Sequence, residues 1–209
     1  MQLTKYGHAC VRLTDGDSAL VIDPGTYTEA AALTGATAVL VSHEHADHAD
    51  LDQLAAACAN DAALTVHGPA AWAESARARL GDAVVGVAVG DRFSAAGFDV
   101  RAVGGLHAEI IDGLPGCPNL GYLVDGVYHP GDSLFVPDEE VETLLVPSSG
   151  PWLKHREAIE FLRAIRPARA FPIHDALLSD LGLANIDAWL EGEGGADYAR
   201  IPRGGSVTL

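Results

Sequence analysis

His43-Glu44-His45-Ala46-Asp47-His48 sets four candidate metal ligands, His43, His45, Asp47 and His48, within six positions. Imidazoles and carboxylates packed this densely are costly to hold together unless something binds them. Histidine is the commonest metal ligand, and a mixed set of nitrogen and oxygen donors suits zinc, manganese or iron. The apolar run Ala38-Val39-Leu40-Val41 delivers the chain into the cluster as a strand. His43 and His45 stand two residues apart and face one side as the chain leaves the sheet, whereas Asp47 and His48 follow where the backbone turns. One ion cannot readily take all four from so short a loop. Two neighbouring ions can, one on His43 and His45, the other on Asp47 and His48.

Each ion then needs a further ligand, and three candidates stand just past predicted strands. His107 follows a strand at 98–103 after Gly104-Gly105, Asp132 follows Gly131 beyond a strand at 127–129, and His174 ends a strand at 168–173. Loops at strand ends commonly carry functional groups because the sheet fixes their positions.

Outward from these points, the first part of the chain alternates short apolar runs with turns. Strands are predicted at 11–13, before Asp15-Gly16-Asp17, and at 19–23, running into Pro24-Gly25. Asp50 caps a helix, Gln53 completes a capping-box pattern, and Leu51, Leu54 and Ala55 open its apolar face. A strand at 64–66 leads to a helix that Gly68-Pro69 opens and Gly81 closes. Strands follow at 84–89, 92–94 and 98–103. The second part predicts strands at 121–124, 127–129, 143–146 and 168–173. Ala158, Phe161, Leu162 and Ile165 mark one face of a helix over 154–166 that Pro167 ends. A helix near 183–191 and a strand at 206–209 complete the chain. Two batches of strands, each followed by strand–helix units, predict an α/β (α+β) fold of four layers, an αββα sandwich. No repeat or long linker divides residues 1–209, so a single domain is expected.

Hydrophobic residues make up 48% of the 209 positions and charged residues 20%. That suffices for one substantial core, and no apolar run approaches the length of a membrane span. Residues 1–6 lack the basic and apolar regions of a signal peptide, so a cytoplasmic protein is expected. Cys10, Cys58 and Cys117 form an odd set without a CxxC pair, which indicates neither a disulfide framework nor a zinc ribbon. The formal net charge is −16 and the pI about 4.7. Such a surface repels phosphate backbones and anionic membranes, which counts against nucleic acid or a membrane as partner without itself selecting a small molecule.

His-x-His-x-Asp-His at 43–48, then His107, Gly131-Asp132 and His174, resembles the metallo-β-lactamase superfamily over most of the chain. Tyr6-Gly7-His8, Ile22-Asp23-Pro24, Tyr128-His129-Pro130-Gly131-Asp132-Ser133 and Pro172-Ile173-His174-Asp175 resemble its bacterial branch of metal-dependent hydrolases that contains ascorbate-6-phosphate lactonase. The resemblance implies the αββα fold and two divalent ions, Zn2+ foremost, with Mn2+ or Fe2+ as alternatives. His43, His45 and His107 would hold the first ion, Asp47, His48 and His174 the second, and Asp132 would bridge them. It further implies hydrolysis of an ester-type bond, in a lactone or phosphoester of a small cytoplasmic substrate, by a hydroxide shared between the ions. Asp47 and Asp132 are then the catalytic carboxylates.

Many relatives carry a Pro-Ile-Gly-Gly segment followed by a threonine–methionine pair where this chain has Pro147-Ser148-Ser149-Gly150-Pro151-Trp152-Leu153-Lys154. A particular substrate therefore does not transfer with the metal ligands. Two other classes stand beside hydrolysis. Iron-dependent oxidoreductases on this fold usually replace the second histidine with glutamate and carry a flavodoxin domain, whereas His45 is kept here. A non-catalytic metal-binding module is the other, and the complete ligand set argues against it.

Asp23 is a candidate for orienting a ligand imidazole, with a turn-initiating role before Pro24 as the alternative. His8 is a candidate for lining the substrate pocket or a satisfied structural histidine. Trp152, Lys154, His155 and Arg156 form an aromatic–basic group able to receive an anionic or planar substrate. A solvated helix start with Trp152 in the core is the plainer expectation. Glu44 should point away from the ions, and His67 and His129 read as structural.

Overall fold

A computed structural model describes residues 1–114 and 116–209. The first sheet begins with antiparallel strands β1 (Gln2–Lys5), β2 (Val11–Asp15) and β3 (Ser18–Ile22). It continues in parallel through β4 (Ala38–Leu40), β5 (Thr65–Pro69) and β6 (Val84–Val87), with α1 (Leu51–Asn60) and α2 (Ala70–Leu80) as crossovers. The second sheet pairs β7 (Arg92–Ala95), β8 (Phe98–Leu106), β9 (Pro118–Val124) and β10 (Val127–His129) antiparallel. Parallel strands β11 (Thr143–Pro147), β12 (Arg169–Ile173) and β13 (Asp197–Tyr198) extend it, connected by α3 (His155–Ile165) and α4 (Asp180–Glu193). β14 (Ser206–Thr208) returns to the first sheet beside β1. The orders are β14-β1-β2-β3-β4-β5-β6 and β13-β12-β11-β10-β9-β8-β7.

The inner faces share one core. Leu13, Leu20, Ile22 and Leu40 of the first sheet pack with Phe98, Val100, Tyr122, Leu145 and Ile173 of the second. Leu54, Trp72 and Leu80 of α1 and α2 cover the first sheet's outer face over Val21, Val39 and Val66. Phe161, Leu162, Ile186 and Leu190 of α3 and α4 cover the second over Leu123 and Leu144. Each sheet thus buries both faces, and the chain forms the expected αββα sandwich.

Local chemistry sets the helix ends. The Asp50 carboxylate accepts from the backbone N–H groups of Asp52 and Gln53 at 3.0 and 3.1 Å. The Gln53 amide turns to that carboxylate at 3.0 Å, while the Asp50 N–H donates to Pro24, so only half of the expected capping box is made. Gly81 ends α2 at φ 59°, and α4 starts at Asp180, earlier than predicted, with Ser179 as its cap. β1 and β13 are not among the predicted strands. β1 has one leucine in four residues and β13 is two residues long, so neighbouring strands hold them in place.

The C-terminal ends of β4, β8, β10 and β12 open on one rim of the sandwich, and the turn after β10 must fit closely there. Gly131 has φ 61°, and a Cβ on it would meet the Ser42 side chain at 2.6 Å and the Asn119 amide oxygen. Gly16, at φ 56° between β2 and β3, faces open space. Gly131→Ala is expected to cost about 2 kcal/mol or more and Gly16→Ala about 1 kcal/mol, the difference being the clash beyond left-handed strain. Chemical denaturation of the two variants measures this, and equal losses would refute the close fit.

Candidate metal centre

Two clusters of donor atoms meet on that rim. His43, His45, His107 and Asp132 form one, and His8, Asp47, His48 and His174 the other; within each, one donor atom per residue lies within 4.8 Å of the rest. Asp132 spans both. Its Oδ1 lies 3.1 Å from His48 Nε2, and its Oδ2 lies 3.0 Å from His174 Nε2, 3.3 Å from His107 Nε2 and 3.9 Å from His43 Nε2. The structure therefore brings all seven expected ligands together, and it parts the 43–48 loop between the clusters, His43 and His45 in one and Asp47 and His48 in the other. Glu44 points outward and is exposed.

Hydrogen bonds decide which nitrogens face inward. The fully buried Asp23 carboxylate accepts from the Ser42 N–H, the Ser42 hydroxyl and His48 Nδ1, each at 2.7 Å. Since the Ser42 hydroxyl donates to Asp23, its oxygen accepts from His43 Nδ1 at 2.9 Å. His107 Nδ1 donates to the Ala108 carbonyl at 2.6 Å. In all three rings the Nδ1 proton is thereby held away from the centre, so that the neutral ring points its Nε2 lone pair into it.

Those inward atoms are poorly satisfied by protein. His48 Nε2, Asp132 Oδ1 and both His174 nitrogens are buried without a hydrogen-bond partner among the described residues, despite the short approaches to Asp132. Buried polar atoms are nearly always paired, and acceptors aimed at one another fit a cation. The imidazole and carboxylate donors suit a borderline divalent metal.

A family model described as "Beta-lactamase superfamily domain" matches residues 2–174. The chain belongs to the metallo-β-lactamase superfamily. It is similar to Protein Rv0786c of Mycobacterium tuberculosis, 40% identical over 86% of each chain. A protein named metal-dependent hydrolase from Natranaerobius thermophilus is 28% identical over 83% of each. Among solved structures, Igni18, titled a novel metallo hydrolase from Ignicoccus hospitalis, superposes with a TM-score of 0.75 at 19% identity, covering 100% of this chain and 97% of its own.

In this superfamily chain two residues beside the seven hold the carboxylates. His8 Nδ1 accepts from the Ala176 N–H at 3.2 Å, so its proton is on Nε2, which donates to Asp47 Oδ2 at 3.2 Å. His8 sits in the second cluster by distance, yet its inward nitrogen is a donor; it orients Asp47. The Trp152 indole is buried and donates to Asp132 Oδ2 at 3.0 Å. Lys154 and His155 are exposed at the start of α3, Lys154 pairing with Glu157. Asn119, which the sequence reading does not single out, is fully buried and accepts the Asp132 N–H at 3.0 Å while donating to Pro130. A lone asparagine in a strand carries no sequence signal for this. His129 donates to the Ala9 carbonyl and accepts from Gly131, and His67 stacks on Phe93.

Burial pulls His43 well below the ordinary imidazole range, and the neighbouring His48 adds to this. Burial acts on His48 in the same direction, but Asp132 and Asp23 outweigh it and hold the ring well above that range. Burial would raise Asp132, yet His48, His107 and His174 keep it well below the usual carboxylate range. A raised His48 is protonated at pH 7 in chelator-stripped protein and must lose its Nε2 proton to coordinate. Zinc binding at pH 7 is therefore expected to release protons, with affinity falling as pH falls. Calorimetric zinc titration in buffers of differing ionisation enthalpy measures the release; no proton release would contradict it.

Proposed function

We propose that the chain is a metal-dependent hydrolase that cleaves an ester-type bond, in a lactone or phosphoester of a small molecule, with two divalent cations of which zinc is the first candidate. The observation that carries this reading is Asp132, one carboxylate reached by imidazoles of both clusters. His43, His45 and His107 would hold one ion and Asp47, His48 and His174 the other, with Asp132 between. When bound, the ions supply Lewis acidity and a nucleophilic oxygen near neutral pH.

The protein's own part is to hold donors in place. Asp23 orients His48 directly and His43 through Ser42. The His8 and Trp152 N–H groups each take one carboxylate oxygen, of Asp47 and Asp132 respectively, and so fix how each carboxylate is turned. His45 is only half-buried, which leaves the first cluster open to a substrate. A net charge of −16 counts against nucleic acid as the substrate. The same reading takes residues 1–209 as one domain working in the cytoplasm, and the lactone candidate rests on the resemblance to ascorbate-6-phosphate lactonase.

Screening zinc- and manganese-loaded protein against lactones, phosphodiesters and amides tests the reaction class. Hydrolysis is expected to disappear in Asp132→Ala and His48→Ala. Asp23→Asn, which leaves every donor atom present, is expected to lose about 10–100-fold in metal affinity or activity. Full activity in His48→Ala would overturn the proposal.

A further inference from the structure

We propose, resting on the hydrolase reading above, that the substrate carries an uncharged apolar group beside the scissile bond and that the loop after β8 receives it. A cleft of about 530 Å³ lies between the 43–48 loop and that loop, and His45 and His107 of the first cluster form part of its wall. Its volume is that of a small-molecule site. Leu106, Ile110 and Leu114 also line it while remaining 71%, 37% and 52% exposed. Three large aliphatic side chains left open to solvent next to a reactive centre mark a binding surface rather than a core.

The charges point the same way. Among the described residues lining this cleft, the acidic side chains are Glu44 and Glu109, and there is no lysine or arginine. A phosphate or carboxylate held against this wall, away from the ion that His45 and His107 would bind, would meet two like charges and no counter-charge from a lysine or arginine. A smaller cleft, about 230 Å³, reaches the second cluster through His8 and does contain Lys5, Arg200 and Arg203. Each of these is already engaged: Lys5 with Asp175 and two carbonyls, Arg200 with Asp175 and Asp187, Arg203 with Glu29. Lys154 and Arg156, the cations of the aromatic–basic group, pair with Glu157 and Glu160 and line neither cleft. Among the described residues the wall beside the first cluster therefore presents aliphatic surface and no lysine or arginine.

Zinc-loaded protein can be assayed with γ-lactones and p-nitrophenyl esters of increasing alkyl length, each beside an analogue ending in a carboxylate. Specificity, kcat/KM, is expected to rise by up to about fourfold per methylene over the first several carbons. The carboxylate analogues should be at least about tenfold poorer, a like-charge penalty of the usual order. Leu106→Ser with Leu114→Ser should flatten the chain-length dependence, and Glu44→Lys with Glu109→Lys should recover the anionic analogues. A flat chain-length series, or preference for the anionic member, would overturn the inference while leaving hydrolysis intact. Absence of any hydrolysis would instead sink the reaction class. Calorimetric binding of decanamide against its ω-carboxylate analogue then decides the cleft's chemistry: tighter decanamide binding supports the inference, and equal or weaker binding refutes it.

Discussion

One buried carboxylate governs the centre. Asp23 sits at φ 52° with no solvent exposure and spends its lone pairs on the Ser42 backbone, the Ser42 hydroxyl and His48 Nδ1. A carboxylate out of water is tolerable only when hydrogen bonds surround it. Those same bonds set the proton positions of two imidazoles, since a neutral ring that donates from Nδ1 offers its lone pair at Nε2. The cost of burying Asp23 and the readiness of His43 and His48 for a cation therefore have a common cause.

The centre also depends on the two sheets closing on each other. The first sheet supplies Asp23 and the 43–48 loop, and the second supplies His107, Asp132 and His174. Cross-sheet bonds tie the halves at this point: the Leu120 N–H donates to Ser42 at 2.8 Å, and the Tyr122 hydroxyl to Val41 at 2.9 Å. The His174 N–H also crosses, to the His8 carbonyl at 3.2 Å, while within the second sheet's rim the Ala108 N–H donates to the Asp132 carbonyl at 2.7 Å. Burial of the shared core thus positions donors that lie more than a hundred residues apart in the chain, from His43 to His174.

Much of this was legible in the residues themselves. The donors stand at strand ends, where alternation and turn chemistry mark the boundaries, so the layers and the division of the 43–48 loop were readable from the residues, whereas the family resemblance is what joined His107, Asp132 and His174 to the two groups. Short strands without apolar repetition, such as β1 and β13, could not, because their pairing partners hold them and their own side chains do not. The 147–154 segment shows the same limit. Its departure from the family pattern is visible in sequence, yet Trp152 turns its N–H onto Asp132 from 20 positions away. Aromatic and basic residues adjacent in sequence suggest a joint surface; the fold separates them, burying Trp152 and leaving Lys154 and His155 outside.

By itself the sequence determined the kinds of donor, their order along the chain and the strands that deliver them, because periodicity and ligand chemistry are local properties. Only the tertiary structure decided which nitrogen of each ring faces inward and which walls flank the centre. The physical reason is distance along the chain. The acceptor that sets His48 lies 25 residues before it, and the N–H that sets His8 lies 168 residues after it. Such partners exist only once the sandwich has closed.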